Sequence, residues 1–352
     1  MVTGNTFMNP KPHHPPQPQP AIYRFNRQFV LDILALMLVL GGGLAFALIQ
    51  RPENTRPWRI AITNWPGFDY LYLAKQKGFF KAHGLDIELV PINSIIDMRT
   101  AFERGLIDGY TSAVLDVTES MQESGTPARI VLVTDYSKGA DMMLATPSIT
   151  TVNDLSNTKM GIELSSAVSR YILGRALEGT NVRPNDIRLI PGSQSVLTYQ
   201  AIRGDLDAII TYHPFASQIL EKRDMHILFD THAISEEIID VVAVSPAMVE
   251  AEPELSRRLQ LAWQSAIDYA NSHPEETRDL FARRYGITLQ QYQEMNNDIT
   301  LVDRAANQRM TRDGTVARAI HKAAVTLNPQ KPLSEATISN TVDVWYQQEG
   351  QR

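Results

Sequence analysis

Residues 58–91 read WRIAITNWPGFDYLYLAKQKGFFKAHGLDIELVP, and this stretch decides the fold class. WRIAIT (58–63) is a short run rich in strand-forming residues. The segment 71–80, LYLAKQKGFF, carries helical periodicity. LDIELV (85–90) alternates apolar with polar side chains, as a half-covered strand does. A strand, a helix and a second strand at this spacing make one parallel crossover unit, the repeat from which α/β domains are built.

The alternation continues along the chain. A helix is expected over 95–104, a strand over 108–112 and a helix over 114–124, followed by the strongly strand-like RIVLVTDY (129–136). After a crossing near 142–147, strands are expected at KMGIEL (159–164), RLIPG (188–192), DAIITY (207–212), HILFD (226–230) and IIDVVAVS (238–245). Helices at 167–178, 195–203 and 215–222 separate the first four of these. Beyond Pro253 the pattern is almost purely helical, with amphipathic stretches at 254–271, 275–285 and 316–324. Two blocks of alternating elements predict an α/β chain of two lobes, each a mostly parallel sheet flanked by helices. The expected division is 58–145 with 240–350 for the first lobe and 146–239 for the second. Hinges are expected over 144–147 and again over 240–245.

The chain has 352 residues, enough for two domains with sizeable cores. Its formal net charge is -6 with no clustered Lys/Arg stripe, which excludes a nucleic-acid binder that replaces counterions. Cysteine is absent from the sequence, which excludes disulfides, a thiolate metal site, a cysteine nucleophile and a lipid anchor on cysteine. The N-terminal segment differs from the rest. NPKPHHPPQPQP (9–20) offers few amide donors and little to bury, so 1–28 is read as a solvated tail, with His13 and His14 part of it. Residues 29–49 are almost entirely apolar and long enough to span a bilayer. Arg24 and Arg27 precede them, which favours a cytoplasmic N-terminus and an exported bulk. Ala45, Phe46 and Ala47 form a possible cleavage site; the reading preferred is a retained anchor, followed by a linker over 50–57.

In open α/β sheets, ligands sit beyond the carboxyl ends of the strands, where loops and helix N-termini present free amides. Candidates chosen on that rule are Asn64, Trp65 and Phe68 after the first strand. Ser112 and Asp116 follow the third, and Asp135 closes the fourth. Ser165, Ser166 and Ser195 stand where strands feed helices, and Tyr212 and His213 follow DAIITY. Each has a second reading: Trp65 as a core or interlobe tryptophan, Ser112 and Ser166 as helix caps. His213 is read as a ligand contact or a satisfied cleft histidine, because no nucleophile or carboxylate can be paired with it from sequence.

Three segments, ITNWPGFDYLYLAKQKGFFKAHGLDIELVP, RGLIDGYTSAVLDVTESMQESGTPARIVLVTDYSKGADMMLA and QAIRGDLDAIITYHPF, together resemble the periplasmic substrate-binding proteins of the nitrate/sulfonate/taurine and thiamine-precursor type. The resemblance implies a type II periplasmic-binding-protein fold and a non-enzymatic receptor that serves an ABC importer. It implies no cofactor or metal, a permease and an ATPase as partners, an extracytoplasmic location and a monomer. Its ligands range from sulfonates and taurine to aminopyrimidines. Asp69, Asp116, Asp135 and Asp141 are poor company for a small anion, which favours a neutral, zwitterionic or amine-bearing molecule. Two alternatives stand beside it: a membrane-tethered sensor or accessory protein, and a pyrimidine-making enzyme on the same fold, for which this chain lacks the cysteines.

Overall fold

A computed structural model describes residues 56–342. The solvated tail, the apolar span over 29–49 and most of the linker lie outside the described residues. Among the described residues, no helix is long and apolar enough to cross a membrane.

The first sheet takes β1 (Trp58–Ile62), β2 (Ile87–Pro91), β3 (Gly109–Ala113) and β4 (Arg129–Ser137). Helices α1 (Asp69–Gln76), α2 (Phe79–Ala82), α3 (Ile95–Glu103) and α4 (Val114–Ser124) connect them. The second sheet takes β5 (Asp141–Ala145), β6 (Lys159–Ile162), β7 (Arg188–Pro191), β8 (Ala208–Tyr212) and β9 (His226–Asp230), with α5 (Ala167–Leu177), α6 (Gln194–Arg203) and α7 (Phe215–Lys222) between strands. The chain then returns to the first sheet through β10 (Ile239–Val244). It continues as α8 (Pro246–Ala251), α9 (Leu255–Ser272), α10 (Pro274–Tyr285), α11 (Leu289–Asn297), β11 (Ile299–Leu301), α12 (Arg304–Arg312), α13 (Thr315–Leu327) and α14 (Glu335–Thr341).

The strand orders are β11-β4-β10-β3-β1-β2 and β7-β6-β8-β5-β9. The sheets are mixed, which corrects the expectation of mostly parallel ones. β1 runs parallel to β2 and β3, and β6 parallel to β7 and β8. β10 lies antiparallel between β3 and β4, and β5 lies antiparallel between β8 and β9. Both reversed strands are the ones by which the chain enters a sheet from the other half. Strands buried on both faces read as apolar runs whichever way they point, so hydropathy could not reveal this.

Alternation along β10 shows how each sheet is covered. Val242 and Val244 face a core with Ile60, Ile62, Trp263 and Phe281, while Val241 and Ala243 face a second core with Tyr110, Val133 and Ile320. The second sheet repeats the scheme: Met143 and Ile210 pack with Tyr171 on one face, Met142 and Ile209 with Leu197 on the other. The helical C-terminal region is tied to the first sheet by polar groups as well as by packing. The fully buried carboxylate of Asp69, in the first turn of α1, pairs with Arg284 and accepts from the Tyr285 and Tyr292 hydroxyls at 3.1 and 2.9 Å. Asn307 exchanges two 2.8 Å bonds with the backbone of Val133, replacing a strand partner where β4 is irregular.

The passages between the sheets run through 138–140 and 231–238, so the hinges expected over 144–147 and 240–245 fall instead at the end of β5 and along β10. The two passages touch. The Gly139 amide donates to Thr231 Oγ1 at 2.7 Å, with φ at +107° and a Cβ position that would lie 2.4 Å from the His232 ring. Glycine is required there on both counts.

Candidate ligand-binding site

The carboxyl ends of β1, β3 and β8 and the adjoining starts of β5 and β10 converge on one seam between the sheets. Trp65, in the loop after β1, reaches across it. Its ring meets that of Tyr212, the last residue of β8, edge to face with centroids 6.2 Å apart. Its indole Nε1 donates to Asp135 Oδ1 at 3.0 Å. Trp65 therefore spans the seam while packing against the first core.

Asp135 belongs to β4 and is fully buried. Its carboxylate fits because Gly67 has no side chain: a Cβ there would stand 1.6 Å from Asp135 Oδ2. What approaches this glycine is a carboxylate of the chain itself. Across the strand pair from Asp135 stands Asp240. Asp141 opens β5 directly opposite Tyr212, so both side chains lie on one face of the second sheet. Asp116, in the first turn of α4, accepts from Ser112 Oγ at 3.0 Å and from the Ala167 amide of α5 at 3.3 Å. That last bond joins the two halves.

Four aspartates thus gather on this seam, all more than nine-tenths buried. Burial pushes Asp116, Asp135 and Asp141 each up to about 6, and the hydrogen bonds they receive only partly offset it. Asp240 is driven well above the ordinary range, first by burial and then by the fields of Asp135 and Asp141. Glu163, at the end of β6, is also raised by burial.

One helical turn outward from Asp116 the seam opens into a groove of about 500 Å³, lined by Ile96, Arg99 and Glu119 on one side and by Ser165 and Arg170 on the other. Arg170 of α5 pairs with Glu119 of α4, and Arg99 holds the other oxygen of Glu119 at 3.2 Å. At the far side of the seam, His213 Nδ1 lies 2.7 Å from Ser217 Oγ, which donates to Glu294 of α11 at 3.0 Å. The other ring nitrogen of His213 stands 3.6 Å from Asp298.

The structure therefore brings Trp65, Ser112, Asp116, Asp135 and Tyr212 together, with His213 at one margin and Ser165 at the other. Phe68 is elsewhere: it is buried in the first core, where its ring packs under α1. Asn64 is exposed on its loop, and Ser195 is exposed with its hydroxyl 3.3 Å from that of Ser193. Ser166 caps α5, accepting from the Ser169 amide at 3.2 Å. Sequence reasoning named neither Asp240 nor Glu163 as a site residue. The signal for Asp240 was present, since a single carboxylate interrupts the otherwise apolar IIDVVAV (238–244).

Comparisons with known proteins agree on the fold. The periplasmic aliphatic sulphonate binding protein SsuA from Escherichia coli superposes with a TM-score of 0.68 at 18% identity, covering 82% of this chain and 92% of that one. The periplasmic nitrate-binding protein NrtA from Synechocystis PCC 6803 gives 0.64 at 12% identity, covering 85% and 89%. A DszB mutant in complex with biphenyl-2-sulfinic acid gives 0.57 at 17% identity, covering 84% and 99%. No curated protein matches the chain in sequence. At these identities the likeness shows the two-sheet α/β periplasmic-binding-protein fold alone. The model of one family, described as NMT1/THI5 like, matches residues 65–277, and this span includes the wall of the seam from Trp65 to Asp240. That is more than half of the chain, and the protein belongs to the NMT1/THI5-like family.

Proposed function

We propose that this protein is the extracytoplasmic solute receptor of an ABC importer. Its two lobes, one built on the first sheet and one on the second, close on a small organic molecule at the seam where Trp65 meets Tyr212. The observation that carries the reading is that the seam is built by both sheets at their strand ends. Trp65 and Asp116 come from one half, Tyr212 and the Ala167 amide from the other. A ligand admitted between them bridges the halves, and its contacts are made in full only when the lobes close. The role is binding and not catalysis, and the closed form docks on a permease driven by an ATPase. The apolar span at 29–49 would hold the receptor at the outer face of the membrane. Sulfonate- or taurine-like and aminopyrimidine-like compounds, which the family resemblance suggests, make up the first screening panel.

Thermal shift of the full-length chain tests the reading. A ligand at a hundred times its dissociation constant stabilises the folded state by about 2.7 kcal/mol. A panel of sulfonates, amines and pyrimidines in which no compound moves the transition would remove the case for a receptor.

A further inference from the structure

We propose that Arg284 of α10 is a positioning residue of the binding site: its one guanidinium holds both ends of the loop that carries Trp65, and so sets where the indole meets Tyr212. This rests on the receptor reading above and names what builds one wall of the same seam.

The loop runs from Thr63, just after β1, to Asp69, the first residue of α1. These two residues lie six positions apart, and Arg284 reaches both. Its Nη2 donates to the Thr63 carbonyl at 3.1 Å, and its Nη1 donates to Asp69 Oδ1. The guanidinium is itself held by rings: its Cζ lies 5.0 Å from the centre of the Tyr72 ring on α1 and 5.6 Å from that of Tyr285. The Tyr285 and Tyr292 hydroxyls also donate to Asp69, so the anchor at that end is fixed from three sides. Between the anchors, Pro66, Gly67 and Phe68 form one tight turn, closed by the Phe68 amide on the Trp65 carbonyl at 2.9 Å. Phe68 is buried in the first core, and Gly67 lies against Asp135 with no side chain to grip. Trp65 is the residue of this loop that crosses the seam, with Nε1 on Asp135 and its ring on that of Tyr212.

A side chain that contacts a solute is only as well placed as the groups that support it. The bond from Trp65 to Asp135 fixes the tip of the indole, while the backbone of the loop fixes where the ring starts. At that backbone the Thr63 amide has only a long bond, 3.4 Å to Thr111 Oγ1, so the carbonyl on Arg284 is the firmer hold. The buried carboxylate of Asp69 would by itself call for any cation. Holding a carbonyl as well, at the other end of the loop, calls for two donors at a fixed spacing. A guanidinium is a rigid planar fork that supplies both, whereas an ammonium is a point charge on a flexible stem. The second bond is therefore what calls for arginine at this position, and it is the bond that acts on Trp65.

The test uses the full-length chain without any solute. The sequence holds four tryptophans, so the Trp65 emission is read as the difference between each protein and its Trp65→Phe counterpart. Arg284→Lys keeps a cation for Asp69 and gives up the two-point hold. The expected result is a Trp65 emission moved to longer wavelength and quenched by acrylamide about twofold more steeply than in the unmodified chain. Tyr292→Phe takes one donor from Asp69 and leaves Thr63 held; it should lower the melting temperature while the Trp65 emission stays in place. Should Arg284→Lys not fold, Asp69→Asn combined with Arg284→Gln removes both buried charges together and carries the same expectation for Trp65. An unchanged Trp65 emission in the folded Arg284 variant would overturn the proposal, because the arginine would then serve stability alone. Tyr292→Phe shifting the emission as far as Arg284→Lys does would overturn it as well. Either failure concerns the loop, while the receptor reading is decided separately by the thermal-shift panel.

Discussion

Acidification should stabilise the ligand-free protein, which is the reverse of the usual response. The perturbation is a change from about pH 7.5 to about pH 5. Asp116, Asp135 and Asp141 are lifted by burial to about 6, against roughly 3.9 in an unfolded chain. A group raised on folding contributes stability that is complete below its unfolded value and is lost as pH climbs through its folded value. For one carboxyl with these two values, the shift from about pH 7.5 to about pH 5 returns about 1.4 kcal/mol. The groups repel one another, so their contributions do not simply add. A total of about 2–4 kcal/mol is expected, equivalent to a rise of roughly 3–6 °C in a chain of this size. Glu163 acts in the same direction, and so, outside the seam, does Asp69, which burial lifts to about 7. Against burial, hydrogen bonds and neighbouring cations hold Glu237 and Asp313 below their ordinary values, and these two work the opposite way, their stabilisation being lost as pH falls. The assay is calorimetry across that range with and without Asp240→Asn, which relieves the cluster and should flatten the profile. A melting temperature that is level or falls on acidification in the unmodified chain would refute the reasoning, because it would mean that the carboxylates are charged and satisfied without a ligand.

Other consequences follow from single contacts. Gly67→Ala places a methyl 1.6 Å from Asp135 Oδ2, so the carboxylate must leave its position; ligand binding should fall at least tenfold by titration calorimetry, with unfolding easier by about 1–3 kcal/mol. Arg284→Met leaves the buried Asp69 without its cation and should cost about 3–5 kcal/mol in urea unfolding, and Asp69→Asn in the same background should recover part of the loss. Trp263→Phe removes the 2.8 Å bond to the Val302 carbonyl and part of a fully buried ring, an expected loss of about 2–3 kcal/mol by the same measurement.

The fold was legible where periodicity carries the information. The reading of 58–91 as strand, helix and strand matches β1, α1 with α2, and β2, because each buried face repeats with the period of its element. Strand direction was not legible. Whether β10 enters between β3 and β4 parallel or antiparallel depends on the route of the whole chain, and IIDVVAV reads the same in both. The site was half visible. The rule that ligands gather at strand ends located Trp65, Asp116, Asp135 and Tyr212, which are 147 positions apart at the extremes yet meet on one seam. It failed for Phe68, whose position on a loop after a strand does not reveal that its ring turns inward. It failed for Asp240 too, because a reversed strand brings its start to the edge where the parallel strands end.

The central claim is that the seam opens and closes on a guest. With no native cysteine in the chain, spin labels can be placed cleanly through Glu123→Cys on α4 and Ser195→Cys on α6, both at exposed positions on opposite halves. Pulsed dipolar spectroscopy then gives the distance distribution between the halves. The account predicts a broad distribution reaching long separations in the ligand-free chain, which collapses to one narrow, short distance when a compound that raises the melting temperature is added to saturation. A distribution that stays unchanged at saturation would contradict it.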